Sequence, residues 1–273
     1  LARPAGAAAG SSKSAGHFVA TLSATPDMKI QRAAKEANRF LYELSGELAT
    51  FVDLSTAGAS LSAMRASHPA GGFIIATAAD IAMALDHSGS TLGFALPPGT
   101  DHTVLVGEGT HLVHDISGVG DSGAPLLLCA GSDSTATLYA VYTALEQLGV
   151  RFRIHGDVVP AHLKRASTVD TLLRQLSAKA PVGPVTPSFD TRGLQPFADF
   201  SAGPDWWNEQ EFKLTFEQMA KMKLNFLGLH TYPIPQAPEA AKDAAFPGAV
   251  VACQKQRAAD LQRKLQVLDK QLA

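Results

Sequence analysis

The chain has 273 residues, 46% of them hydrophobic, with 23 Lys plus Arg against 25 Asp plus Glu and a net charge of -2. That is material for one large domain or two ordinary ones, and the near-neutral balance gives no electrostatic ground for nucleic acid or an anionic membrane as partner. No apolar run approaches the ~20 residues of a membrane span, and Cys129 and Cys253 alone exclude a disulfide framework.

In chain order, residues 1–16 are rich in Ala, Gly and Ser without a period, which describes a flexible lead-in. They lack the apolar stretch of a signal peptide, although the first residue is Leu1 rather than Met, and a soluble globular chain is expected. Residues 17–24 alternate like an exposed strand. Pro26 and Asp27 then turn the chain into a helix expected over 29–50, with Ala33, Ala37, Phe40, Leu41, Leu44 and Leu48 on one face.

The glycine pair Gly71-Gly72 precedes an apolar strand to Ala76, followed by a helix over 78–85. Residues 102–106, 111–116 and 124–130 read as three further strands, for a sheet of about four. Gly131-Ser132-Asp133-Ser134 offers capping chemistry for a helix over 136–148 that Gly149 stops. Residues 168–180 fit a helix or a strand, and the proline-rich 181–187 reads as a linker and domain boundary. The fold class that follows for 17–180 is α/β, a mixed sheet with its helices on one face.

Three motifs suggest chemistry and are outweighed by plainer readings. Gly118-Val119-Gly120-Asp121-Ser122-Gly123 fits a dinucleotide pattern, but Pro125-Leu126-Leu127-Leu128 continues as a strand where a helix should begin. The overlapping Gly120-Asp121-Ser122-Gly123 is similar to the nucleophile loop of trypsin-like proteases, without a matching histidine context. His111 and His114 fall on opposite faces of a strand, and no His-Glu-x-x-His helix occurs, so no metal is expected.

The segment Ala136-Thr137-Leu138-Tyr139-Ala140-Val141-Tyr142-Thr143-Ala144-Leu145-Glu146-Gln147-Leu148-Gly149-Val150-Arg151-Phe152, with Asp157-Val158-Val159-Pro160 behind it, resembles one found in glycoside hydrolases. It is similar to the N-terminal zincin-like domain of family 20 β-hexosaminidases and of α-glucuronidases, which keeps a zinc-protease shape without the metal. Pro187-Ser188-Phe189-Asp190-Thr191-Arg192-Gly193 resembles the first strand of the (β/α)8 barrel that follows in those enzymes. The resemblance implies a zincin-like domain over 17–180 and the start of a catalytic barrel over 188–233, with a helix over 212–223 and a second strand over 225–233. It also implies a carbohydrate ligand, no cofactor and a secreted or extracellular setting.

By the same resemblance Arg192 grips hydroxyls of the terminal sugar, a task suited to a forked donor. Gln195, Asp199, Trp206, Trp207 and Asn208 lie on the loop after that strand, and His230 and Tyr232 at the end of the second, where barrel active sites are built. The usual Leu-Asp-x-x-Arg continuation is absent after Arg192-Gly193, which leaves N-acetylhexosamine, a uronic acid or another sugar open.

The residues after Pro187 amount to about a third of the ~250 that a complete barrel takes, so the catalytic carboxylates are expected to be missing and the chain alone inactive. A non-catalytic carbohydrate- or partner-binding module is the alternative. Residues 234–273 form a divergent tail in which Leu261, Leu265, Leu268 and Leu272 mark an amphipathic helix able to cover the barrel fragment or self-associate.

Overall fold

A computed structural model of the chain describes residues 16–23, 25–54, 61–86, 102–117, 123–165, 167–196, 204, 207–229, 262, 263 and 266. Its elements are β1 (Phe18–Thr21), α1 (Met28–Ser45), β2 (Thr50–Asp53), α2 (Leu61–Ser67), β3 (Gly72–Thr77), α3 (Ala78–Asp86), β4 (His111–Asp115), β5 (Leu126–Gly131) and α4 (Ser134–Gln147). They continue with β6 (Arg151–Arg153), β7 (Gly156–Val158), α5 (Val169–Lys179), β8 (Val182–Val185), β9 (Gly193–Leu194), α6 (Glu209–Lys221) and β10 (Phe226–Leu227). The chain divides into two compact units, Leu1–Arg151 with Val159–Ser188 and Phe152–Val158 with Phe189–Ala273.

The first unit is an α/β domain around a six-stranded sheet of order β2-β1-β3-β5-β4-β8. β2, β1, β3 and β5 run parallel to one another, whereas β4 is antiparallel to both β5 and β8. Its helices start where short polar side chains satisfy the first free amides. The Asp27 carboxylate accepts from the Lys29 and Ile30 amides (both 2.9 Å), Asp133 from Ala136 (2.8 Å) and Thr168 from Thr171 (3.3 Å). That last cap resolves residues 168–180 as the helix α5.

α4 lies on the sheet as its sequence predicts, with Tyr139 and Tyr142 both buried, and Gly149 at φ 100° marks its end. Burial of Phe18, Phe40 and Phe73, each 0% exposed, contributes roughly 2–3 kcal/mol apiece.

Several expectations are corrected. The helices cover both faces of the sheet, not one. Phe18, Ala20, Ile74, Ala76, Leu126 and Leu128 pack with Leu61 of α2 and Ile81 and Ala84 of α3. The alternate residues Val19, Phe73, Ile75, Leu127 and Cys129 are equally buried and belong to the other face, over which α1, α4 and α5 pack. The continuous apolar runs of β3 and β5 are the physical reason, since strands without a polar side need cover on both.

β1, read as exposed, is therefore an interior strand between β2 and β3. α1 stops at Ser45, where the Gly46 amide closes onto the Tyr42 carbonyl (2.7 Å), so Leu48 lies outside it and is exposed. Residues 102–106 hold a 3-10 turn at His102–Val104 rather than a strand. The stretch 181–187, read as a linker, supplies the edge strand β8 against β4. An edge tolerates Pro184 because one side of the strand has no ladder to fill. The expected helical tail over 234–273 lies outside the described residues, apart from Gln262, Arg263 and Gln266.

Cys129 sits in the middle of β5 with no exposed surface, and burial pushes its thiol pKa up. In a Cys253→Ser variant the native protein is expected to consume no Ellman's reagent over minutes and one equivalent in denaturant. Rapid native labelling contradicts the packing of β5.

Candidate functional site

The second unit carries the residues that the sequence reading singled out. Its parallel strands β9 and β10 pair Gly193 with Phe226 and Leu194 with Leu227, and α6 connects them. α6 starts with a complete capping box. The Asn208 side chain accepts from the Gln210 and Glu211 amides (2.8 and 3.1 Å), and the Glu211 carboxylate accepts from the Asn208 amide (2.7 Å).

Arg192 stands immediately before β9, at the end of the strand pair opposite to that where (β/α)8 barrels build their active sites. Its Nε donates to the Lys223 carbonyl (3.0 Å) and its Nη1 to the carbonyls of Phe189 and Asp190. Its amide donates to Asn225 Oδ1 (2.8 Å), and its carbonyl accepts from the amides of Asn225 and Phe226. The guanidinium thus fastens the start of β9 to the turn that leads into β10. Lys223 occupies that turn in the left-handed region, at φ 62°.

Gln195 follows β9 at the opposite end and is exposed. The carbonyl of Leu194 before it accepts from the Gly228 amide (2.8 Å), which brings the two strand ends side by side. Trp207 is half-buried with its ring edge-on to Phe212 (5.3 Å), and Asn208 is the helix cap just described. Asp199, Trp206, His230 and Tyr232 lie outside the described residues. Of the predicted set, the described geometry therefore places Gln195 at the strand-end position and gives Arg192 and Asn208 backbone-holding bonds.

Sequence reasoning missed a buried ion pair in this unit. Lys221, near the end of α6, is buried, and its Nζ donates to both carboxylate oxygens of Asp157 on β7 (2.9 and 2.8 Å). Gln218, one turn earlier on α6, donates to the same carboxylate (3.1 Å). The only advance signal was a Lys and a Gln on the stripe of α6 that buries Phe212, Thr215 and Met219.

In the first unit an open cavity of about 680 Å³ lies at the ends of α4 and α5, with Glu146, Arg151, Gln175 and Lys179 in its lining. Arg151 donates to the carbonyls of Glu146 and Val150 (2.8 Å each) and Lys179 to that of Gln147, so these cations close the carboxyl end of α4. Of the glycine-rich segment 118–123 all but Gly123 lies outside the described residues; on its two flanks Arg65 donates to the carbonyls of Ser117 and Ala124 (3.1 Å each). Burial opposes the charge of Asp115 beside it, yet donation from the Ser117 and Ser177 hydroxyls and the Ser117 amide holds its pKa below the usual carboxylate value. Since the strand β5 follows this loop, no helix starts there to receive a dinucleotide phosphate. Among the described residues no group of three or more His, Cys, Asp or Glu side chains is arranged to hold a metal ion, and no helix is long and apolar enough to cross a membrane.

No protein-family model matches this chain, and no curated protein matches it.

Proposed function

We propose that the chain derives from a glycoside hydrolase of the α-glucuronidase and family 20 β-hexosaminidase type, with a zincin-like front domain as its first unit and the opening of a (β/α)8 barrel as its second. The observation that carries the reading is the β9–α6–β10 arrangement, two parallel strands joined through one helix, which is the repeat from which such barrels are built. It begins at Gly193, the last residue of the segment 187–193 that the resemblance gives as the first barrel strand. The resembling segment over 136–152 supports the assignment of the front domain, because the helix α4 within it is buried against the sheet as a domain-building element would be.

Hydrolysis of a glycosidic bond generally needs two carboxyl groups facing each other across it. In the second unit Asp157 is bound to Lys221, Glu211 to the start of α6 and Glu209 to Lys213 (2.7 Å), so these three are engaged in holding structure. The chain alone is proposed to be inactive and to hold sugar only weakly, through Gln195 and the loop to Asn208. A monosaccharide gripped by so few groups corresponds to about 4 kcal/mol, a millimolar dissociation constant.

The test is an assay of the purified chain against aryl glucuronides and aryl N-acetylhexosaminides, together with titration of glucuronic acid and N-acetylglucosamine. No turnover and millimolar binding are expected. Gln195→Ala should weaken binding, whereas Arg192→Ala should chiefly lower the stability of the second unit. Turnover overturns the inactive-fragment reading, and binding unchanged by Gln195→Ala and Trp207→Ala overturns the site.

A further inference from the structure

His17 lies just before β1, entirely buried, and neither ring nitrogen has a hydrogen-bond partner among the described residues. Its backbone is tied in, since its carbonyl accepts from the Thr50 amide (3.1 Å). A second buried imidazole, His68, follows α2 and packs edge-on against the ring of Phe18 (5.5 Å). Around the two rings the chain is stitched by the Phe18 amide to the Gly71 carbonyl (3.1 Å), the Ala70 amide to Gly16 (2.7 Å) and the Gly71 amide to His68 (3.0 Å). A cation formed on His17 would have no acceptor among the described residues and a second imidazole for a neighbour.

We propose that His17, beside His68, forms an acid-sensitive latch, which keeps the corner of β1, α2 and the turn before β3 closed while the His17 ring is neutral and releases it on acidification. Other charged groups on the adjoining elements do not compensate. α1, which packs on β1, carries Lys29, Arg32, Lys35, Glu36, Arg39 and Glu43; β2 carries Asp53, and Arg65 of α2 is turned to the Ser117 and Ala124 carbonyls. Among the described residues the charged neighbour that lowers the His17 pKa is His68.

The sign follows from which state binds the proton. Burial first, and the charge of His68 second, lower the pKa of His17 to about 4 from an ordinary 6.5. The opened corner therefore takes up a proton that the closed one refuses, so closure weakens as pH falls from 6.5 toward 4 and is unaffected above that window.

Native-state hydrogen exchange on the full chain, corrected for intrinsic rates, tests this at the amides of Phe18, Ala70 and Gly71. Between pH 7 and pH 5 the opening equilibrium at these three is expected to rise roughly twentyfold. His17→Leu should remove that rise. A wild-type corner whose protection does not change with pH overturns the proposal without any variant, and so does a His17→Leu protein that keeps the full pH dependence.

Discussion

Gly71→Ala is expected to abolish cooperative folding of the first unit, a loss of roughly 4 kcal/mol or more. Gly71 has φ 89°, a conformation that L side chains rarely adopt, and a Cβ built there would lie 1.9 Å from the Pro125 carbonyl oxygen and 2.9 Å from its carbon. The contact is with backbone, so no side chain can turn aside. Nor can the strands separate: the Gly72 amide donates to that same Pro125 oxygen (3.1 Å), and the Gly71 carbonyl receives the Phe18 amide on the other side. β1, β3 and β5 are thereby joined at one point, and a displacement of a few tenths of an ångström would propagate into all three. Far-UV circular dichroism and urea denaturation measure the effect. A variant that unfolds cooperatively within about 1 kcal/mol of wild type means the close approach is wrong.

Lys221→Met is expected to destabilise the second unit by about 3–5 kcal/mol, because it leaves the Asp157 carboxylate in a largely buried place without its cation. The Lys221 side chain is 4% exposed and that of Asp157 16%, so water does little to replace the lost partner. Gln218 would still donate to Asp157, but a neutral amide does not replace the charge of Lys221. Replacing both partners with apolar residues, Asp157→Leu with Lys221→Met, should restore most of the loss, since the pair then costs no desolvation. Trp206 and Trp207, the only tryptophans in the chain, belong to the second unit, so their fluorescence in urea reports its unfolding. A single variant that loses under 1 kcal/mol, or a double variant as unstable as the single, would show that the ion pair does not hold β7 to α6.

These two residues also show where sequence reading stops. The glycine pair ahead of β3 was legible, because a glycine before an apolar run marks a strand entry whatever the rest of the chain does. That Gly71 must be glycine depends on Pro125, 54 positions on. Lys221 reads in the sequence as an ordinary residue in the last turn of an amphipathic helix. Its partner lies 64 residues earlier, on a hairpin strand that no apolar period announced. Arg192 is the sharpest case. Its type and setting pointed to sugar recognition, while the bonds of its guanidinium to carbonyls at the start of the strand pair could not be read from the sequence.

The sequence by itself determined what nearest neighbours decide: that α1 starts at Asp27, that α4 runs from Asp133 to the glycine stop at Gly149, that β4 and β5 are strands, and that Cys129 is buried. Caps, glycine stops and apolar runs act within a few residues, so they are written where they act. Only the tertiary structure decided that β1 is an interior strand, that helices cover both faces of the sheet, that the stretch around Pro184 is an edge strand, and that 152–158 belongs to the second unit. Each of these depends on which segments meet across a long loop. The free energy of such a meeting comes from surfaces buried between residues far apart in the chain, and no local pattern records it.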